Sequence, residues 1–248
     1  MKAIILAAGL GSRLKPLTES TPKALVKVCG KTLLEITINK LKRFSVDEII
    51  INTYYLADQI ESFIKENNYF GLKKIEISKE TNLLETGGGI FNVKWFFDKS
   101  PFIVYNVDII SSIDLKSMYE FHLKTRTIAT LAVRNRVSNK LLLFNKLQEL
   151  VGIEDLKNNT IKMINSEEND FDRYAFSGIH IISPKIFELY DRKGSFSIID
   201  TYMELISKGA KINAFNHNES NWFDIGTNEK LKLVENYIKN NTINVLGN

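Results

Sequence analysis

The sequence predicts an α/β fold in which helices cover both faces of a mostly parallel sheet. The chain has 248 residues, of which 44% are hydrophobic and 25% charged, so a domain of this size needs no disulfide staples. Short apolar runs alternate with segments of helical periodicity through the first 110 residues. Alternation of this kind is typical of parallel strands joined by helices.

The elements of the first part of the chain follow this pattern in order. Residues 2–7 form an apolar run that ends at Gly9 and Gly11, which predicts a buried strand entering a loop. Asp108 stands at the end of the fourth apolar run. The predicted strands are 2–7, 48–52, 74–78 and 101–107, and the predicted helices are 33–44, 57–66 and 87–97.

The pattern becomes less regular after residue 110. Residues 145–169 are polar and rich in turn-forming residues, and Thr227 is placed to cap the last helix. We predict one domain over residues 1–248, with halves at 1–110 and 111–248. The later strands are predicted at 128–133, 141–144, 174–182 and 211–215, and the later helices at 184–190, 198–208 and 228–240.

Composition argues against several classes of protein. Cys29 is the one cysteine, so an intramolecular disulfide is excluded, and no Cys/His cluster has zinc-ligand spacing. The net charge of +4 is mild and the lysines are scattered, which argues against nucleic-acid binding. The apolar opening is too short for a signal peptide, and no stretch approaches the ~20 apolar residues of a membrane span. We therefore expect a cytoplasmic protein with no membrane partner.

The glycine-rich loop after the first strand indicates phosphate binding. Gly9 and Gly11 let backbone N–H groups approach phosphate oxygens, and Arg13 and Lys23 can add two cations. The loop is not a Walker motif, because the Gly-Lys-Ser/Thr ending is missing. It is not a dinucleotide fingerprint either, since Leu14 replaces the third glycine and a proline interrupts the expected helix. By themselves the two glycines are equally compatible with a tight turn.

The longer string is far more specific. Residues 9–23 fit Gly-x-Gly-x-Arg-x-x-Pro-x-Thr-x-x-x-Pro-Lys, with Leu6-Ala7-Ala8 before it. This resembles the signature of sugar-1-phosphate nucleotidyltransferases. Segments along the chain extend the resemblance: Thr86-Gly87-Gly88-Gly89, Tyr105-Asn106-Val107-Asp108, Phe176-Ser177-Gly178-Ile179 and Trp222-Phe223-Asp224-Ile225-Gly226-Thr227. Within that family the chain looks most similar to N-acetylmuramate α-1-phosphate uridylyltransferases, with mannose- and heptose-1-phosphate guanylyltransferases nearby.

The resemblance implies a three-layer α/β/α, Rossmann-like GT-A-type domain, with nucleotide bound by the first half and acceptor by the second. It implies catalytic roles for Arg13, Lys23 and Asp108, and Mg²⁺ held by Asp108 and Asp224. The sugar-phosphate site is assigned to Asn106, Ser177, Gly178 and Gly152. The nucleotide site is assigned to Leu6, Ala7, Ala8, Gly9, Gly11, Ser12, Arg13, Lys23, Glu80, Glu85, Thr86 and Gly87.

The chemistry of nucleotidyl transfer agrees with these residue types. Negative charge develops on the attacking and leaving oxygens, and two carboxylates that hold Mg²⁺, with Arg and Lys on the leaving pyrophosphate, supply the opposing charge. Asp108 follows an apolar strand, where open α/β sheets bind ligands. Asp224 is also compatible with a plain turn at the entry to a helix.

Several assignments stay open. Glu80 is compatible with a contact to a base N–H or with a solvated charge at a strand end. Asn52 suits either a ligand contact or a turn, and His180 is expected in the core. The backbone at Glu85 is expected near the base, while its side chain is left unassigned.

The expected reaction moves a nucleoside monophosphate from an NTP, with UTP favoured, to a sugar-1-phosphate in nucleotide-sugar biosynthesis. Alternatives are a GTP-dependent guanylyltransferase, a CTP:phosphocholine cytidylyltransferase and a non-catalytic nucleotide-sugar sensor. An NAD-dependent dehydrogenase is disfavoured. We expect a monomer or a homodimer.

Overall fold

A computed structural model describes residues 1–164 and 170–241 of the chain. Residues 165–169, the end of the turn-rich stretch, lie outside the described residues. The strands are β1 (Lys2–Leu6), β2 (Lys27–Val28), β3 (Lys31–Thr32), β4 (Glu48–Thr53), β5 (Lys74–Lys79), β6 (Phe102–Asn106), β7 (Ile109–Ser111), β8 (Ala129–Arg134), β9 (Lys140–Phe144), β10 (Leu150–Asp155), β11 (Thr160–Met163), β12 (Asp172–Ile182), β13 (Ile212–Asn216) and β14 (Trp222–Asp224).

Helices alternate with the strands through the first part of the chain, as the sequence predicts. They are α1 (Leu33–Arg43), α2 (Ala57–Glu66), α3 (Glu85–Asn92), α4 (Leu115–Thr125), α5 (Ile186–Leu189), α6 (Ile198–Ser207) and α7 (Asn228–Asn241). Short 3₁₀ turns occupy Ser12–Leu14, Lys23–Leu25, Asn68–Gly71 and Lys94–Phe96. None of the helices in the described ranges combines the length and the apolar character that crossing a membrane requires.

The chain divides into two compact units. The first contains Met1–Leu84, Val104–Ile113 and the chain from Ser220 onward, and the second contains Glu85–Ile103 and Asp114–Glu219. These boundaries differ from the predicted halves at 1–110 and 111–248, because each unit is assembled from separated segments. That residues 1–248 form a single domain stays a prediction.

The first unit is built on parallel strands. β1 pairs with β4 and β4 with β5, both in parallel, and β6 lies beside β1. Ile4 aligns with Ile50 and Ile51 with Ile77, so β-branched side chains stack across the sheet. The centres of β1 and β4 are fully buried, which explains why these runs are apolar at every position.

The second unit has a mixed sheet. β13 pairs with β8 in parallel, but β8 with β12, β12 with β9, β9 with β10, and β10 with β11 are antiparallel. The register between β12 and β8 shifts between Phe176 and His180, which marks a bulge. Hairpin-like pairing of this kind explains why the regular alternation is lost after residue 110.

Two secondary-structure predictions need correction. β10 and β11 form within the stretch predicted as turns, because β10 is bonded to β9 on one side and to β11 on the other. The side chains of β11 are mostly exposed, so the strand forms without the continuous apolar run that marks a buried strand. The helix predicted at 87–97 begins at Glu85, ends at Asn92 and continues only as a 3₁₀ turn.

The three histidines all lie buried in the second unit, each beside a hydroxyl group. His122 Nδ1 is 2.9 Å from Thr130 Oγ1, and His180 Nδ1 bonds the Tyr202 hydroxyl. The prediction of His180 as a core residue is confirmed. Burial lowers the pKa of His122 to about 4 and that of His180 to about 3, because the interior disfavours the charged imidazolium.

The lowered pKa values of His122 and His180 predict that the folded protein loses stability in acid. The folded-state pKa values of His122 and His180 lie below the unfolded value of about 6.5, so the unfolded chain binds more protons as the pH falls below 6.5. Each histidine then lowers the free energy of unfolding by up to about 1.4 kcal/mol per pH unit. Urea denaturation between pH 7.5 and 5.0 measures this slope. A His122→Gln variant removes one of the two groups and should have a shallower slope, and an unchanged slope would contradict the assignment.

Candidate active site

The phosphate-loop segment, residues 7–23, is fixed by bonds within the segment itself. Gly11 has a left-handed backbone with φ of 65°. Its carbonyl accepts the Leu14 N–H and the Thr18 hydroxyl, each at 2.8 Å. Leu14 is fully buried and anchors the turn, while Gly9 and Arg13 are exposed. The loop therefore holds a defined path and leaves its glycine and arginine accessible.

Gly11 is required by both conformation and space. A Cβ at this position would lie 2.9 Å from Thr18 Cγ2 and 3.1 Å from Lys23 Cβ. Gly9 has no positive φ, and a Cβ there would meet nothing within 4 Å. Gly11 therefore forms the tight turn, and Gly9 is the glycine with open space beside it.

Pairing of β7 with β14 brings the two predicted metal aspartates together. Asp224 stands opposite Ile109 in the antiparallel register, directly after Asp108 in the chain. The Ile225 N–H donates to the Asp108 carbonyl at 2.8 Å. Asp224 is the last residue of a strand rather than part of a turn at a helix entry. Residues 116 positions apart in sequence are thus neighbours in the first unit.

Cations surround both carboxylates. Lys23 forms a short ion pair with Asp108, and Lys230 Nζ lies 2.6 Å from Asp224 Oδ2. A Cβ at Gly226 would lie 2.9 Å from Asp224 Oδ1 and 3.2 Å from Arg13 Nη2. Because Gly226 has no side chain, the Asp224 carboxylate and the Arg13 guanidinium can both lie next to its Cα.

The donor set suits a hard divalent cation that also binds substrate oxygens. Two carboxylates at neighbouring positions offer the oxygen ligands that Mg²⁺ prefers, and Mg²⁺ usually keeps waters or phosphate oxygens in its remaining positions. Within residues 1–164 and 170–241, no group of three or more His, Cys, Asp or Glu side chains is placed to hold a metal. Asp108 and Asp224 fit a shared cation of this kind rather than one held by protein ligands alone.

A buried polar network lies beside the phosphate-loop segment. Asn52 Oδ1 accepts the Ala7 N–H at 2.9 Å, and Asn52 Nδ2 donates to Glu80 Oε1 at 2.7 Å. Glu80 Oε2 accepts the Leu84 N–H at 3.0 Å. Glu80 is only 5% exposed, so the interpretation of it as a solvated charge is wrong. Burial raises the pKa of Glu80, and its two hydrogen bonds oppose that shift. Asn52 is likewise buried and bonded to protein, rather than open to a ligand.

The glycine-rich helix α3 begins the second unit with a strained residue. Glu85 has a left-handed φ of 58°, a conformation that favours glycine. Thr86 Oγ1 accepts the Ile198 N–H at 3.1 Å, and the Gly87 N–H donates to the Phe196 carbonyl at 2.9 Å. A Cβ at Gly87 would lie 2.5 Å from the Phe196 ring. The close approach that requires Gly87 is therefore to Phe196, and the contact of Gly87 with a nucleotide stays a prediction.

Three of the predicted sugar-phosphate residues lie in the second unit, within its strands. Ser177 is fully buried, and its hydroxyl lies 2.7 Å from His217 Nε2. Gly178, with φ of 74°, forms the bulge of β12. A Cβ at Gly152 would lie 2.7 Å from the Lys162 carbonyl, so packing of β10 on β11 requires this glycine. The Ser177 hydroxyl faces the imidazole, and its contact with a sugar phosphate stays a prediction.

Comparison with known proteins decides the family. The Nucleotidyl transferase family model matches residues 2–141, which include the phosphate-loop segment and Asp108. The chain belongs to the nucleotidyl transferase family.

Two relatives and one solved structure extend this match. The chain is 30% identical over 236 residues to the N-acetylmuramate alpha-1-phosphate uridylyltransferase of Neisseria meningitidis serogroup B, covering 95% of this chain and 97% of the relative. It is 42% identical over 110 residues to the enzyme of the same name from Caulobacter vibrioides, covering 44% of this chain and 46% of the relative. The crystal structure of HddC from Yersinia pseudotuberculosis complexed with GMP-PN shares 26% identity, with a TM-score of 0.74 over 96% of this chain and 99% of that one.

These matches confirm the predicted family and the Rossmann-like α/β fold of this nucleotidyl transferase. The site also contains a residue that sequence analysis missed. Lys230 lies in the first turn of α7, and its position six residues after Asp224 gave no recognised signal. Asn106, the last residue of β6, is half-buried, and its contact with a sugar phosphate stays a prediction.

The two loop glycines of this nucleotidyl transferase should respond differently to alanine. Gly11→Ala should lower the free energy of unfolding by about 1 to 2 kcal/mol, because the left-handed backbone disfavours a Cβ. Gly9→Ala should change it by less than about 0.5 kcal/mol, since its Cβ meets no neighbour. Urea denaturation of both variants measures the difference, and equal losses would contradict the assignment of the turn to Gly11.

Proposed function

We propose that this chain transfers a nucleoside monophosphate from an NTP to a sugar-1-phosphate and releases pyrophosphate. The observation that carries the proposal is the juxtaposition of Asp108 and Asp224 across β7 and β14, with Arg13 and Lys23 beside them. Relatives named as sugar-1-phosphate nucleotidyltransferases support the same reaction.

The proposed mechanism is an in-line displacement at the α-phosphorus. The acceptor phosphate oxygen forms a new bond to this phosphorus, and the bond to the β-phosphate bridging oxygen breaks. The attacking oxygen is already ionised, so no protein general base is required. Arg13 and Lys23 are proposed to bind the leaving pyrophosphate, which carries the electron pair of the broken bond.

Asp108 and Asp224 are the residues that would hold Mg²⁺. When bound, the cation neutralises charge that develops on the phosphate oxygens. The Lys23–Asp108 ion pair keeps the lysine close to that position. In the proposed cycle, Lys23 and Arg13 orient the triphosphate while the N–H groups around Gly9 face its oxygens.

We favour UTP as the nucleotide and a bacterial cell-envelope sugar as the acceptor. The similarity to two N-acetylmuramate alpha-1-phosphate uridylyltransferases supports this choice. GTP is the second candidate, because HddC, a protein of the same fold, was crystallised with GMP-PN. We further propose a single-domain cytoplasmic enzyme that acts as a monomer or a homodimer.

Replacement of Asp108 by asparagine should abolish turnover without unfolding the chain. The amide lacks the charge that holds the cation, and a loss of several kcal/mol of transition-state stabilisation corresponds to at least about a 10³-fold fall in kcat. Pyrophosphate release measures the rate, and circular dichroism checks the fold. Asp191→Asn, an exposed carboxylate in the second unit, is the matched control and should keep its activity. Near-normal turnover of Asp108→Asn would overturn the metal assignment.

A matrix of NTPs against acceptors tests the substrate assignment. We expect pyrophosphate release only when both an NTP and a sugar-1-phosphate are present, with UTP giving the highest kcat/KM. Release with phosphocholine and CTP would indicate the cytidylyltransferase alternative. Nucleotide-sugar binding without any release would indicate a sensor.

A further inference from the structure

The buried network around Glu80 connects two segments that come from different strands. Ala7 follows β1 and opens the phosphate-loop segment, while Glu80 follows β5. Asn52, near the end of β4, stands between them and bonds to both. The side-chain amide of Asn52 therefore links the phosphate-loop segment to the end of β5 by two hydrogen bonds.

Glu80 also closes the segment that follows β5. Its N–H donates to the Thr53 carbonyl at 2.7 Å, and its carboxylate accepts the Leu84 N–H at 3.0 Å. Residues 81–83 lie exposed between these two attachments. Residues 80–84, which we call the β5-end segment, are thus fixed at both ends by a single buried residue.

The direction of the hydrogen bonds requires a carboxylate at this position. The Asn52 amide turns its oxygen to the Ala7 N–H, so its NH₂ group faces Glu80. The Leu84 N–H faces the other oxygen of Glu80. Two donors converge on one side chain, and only a carboxylate accepts from both without exposing a donor of its own. A buried donor–donor contact costs free energy because one N–H loses its partner.

We propose that Asn52 and Glu80 are positioning residues for the nucleotide, which hold the β5-end segment, a part of the predicted nucleotide site, in register with the phosphate-loop segment. The proposal rests on the proposed function, in which the phosphate-loop segment binds the triphosphate. Glu80 acts through Asn52 and Leu84 rather than by reading the base, since both of its oxygens already accept a protein N–H and its side chain is buried.

An exchange of the two side chains tests this directly. In Glu80→Gln, the introduced NH₂ group opposes a donor of Asn52 or Leu84, and rotation of the Asn52 amide only moves the conflict to Ala7. In Asn52→Asp, two carboxylates face each other. In the double variant, the introduced aspartate accepts from Ala7 and from the introduced glutamine, whose oxygen accepts from Leu84. The double variant therefore keeps all three hydrogen bonds, the total charge and nearly the same volume.

The measurements are the KM for UTP and for the sugar-1-phosphate, kcat, and the Kd for UTP by calorimetry. We expect each single variant to raise the KM and Kd for UTP by about tenfold or more, from the loss of one buried hydrogen bond and a donor or charge conflict. The double variant should return both values to within about threefold of the wild type. The KM for the sugar-1-phosphate should change by less than about threefold throughout.

Two kinds of result would overturn the proposal. Single variants with wild-type affinity for UTP would show that the network does not position the nucleotide. A double variant that remains as weak as Glu80→Gln, or that changes its preference between UTP and GTP, would show that the carboxylate itself reads the base. If the single variants keep their affinity for UTP but unfold at a lower temperature, the first of these results holds, and the network stabilises the fold only.

The wild type and one control separate this inference from the proposed function. Failure of the wild type to bind any NTP would overturn both, whereas failure confined to the variants overturns only the positioning role. Glu76→Gln makes the same chemical change on β5, at a partly exposed residue paired with Lys74. That variant should keep the UTP affinity of the wild type, and a tenfold loss there would show that the effect is not specific to the network.

Discussion

Antiparallel pairing of β7 with β14 is the interaction on which the candidate site depends. β7 directly follows Asp108, and β14 ends in Asp224, so one short ladder places both carboxylates at neighbouring positions. The bond from the Ile225 N–H to the Asp108 carbonyl continues the pairing beyond the strand ends. Backbone hydrogen bonds of this kind are directional, and they fix where the side chains emerge more firmly than contacts between flexible side chains do.

Charge compensation accounts for the composition of this site. Two carboxylates at neighbouring positions repel each other, and each has a lysine beside it. The Arg13 guanidinium lies near Asp224 because Gly226 has no side chain. The same cations are chemically suited to a triphosphate, so the groups that balance the aspartates are also those that we assign to the leaving pyrophosphate.

The glycines show that one residue type serves several purposes. Gly11 adopts a left-handed backbone conformation. Gly87 allows Phe196 to pack closely against it, and Gly152 allows the neighbouring strand β11 to do the same. Gly9 has open space around its Cα, which is the property a phosphate-binding position needs. A glycine in a motif is therefore not evidence of ligand contact until its surroundings are known.

The sequence by itself determined the family, the parallel strands of the first unit and the residues of the phosphate-loop segment. These signals are local: an apolar run, two glycines, Arg13 and Lys23 lie within 23 residues of the start. Only the tertiary structure decided that Asp108 meets Asp224, that Lys230 pairs with Asp224, and that Glu80 is buried against Asn52. Those facts depend on which distant strands pair and which side chains they enclose, and neither spacing nor periodicity along the chain records that.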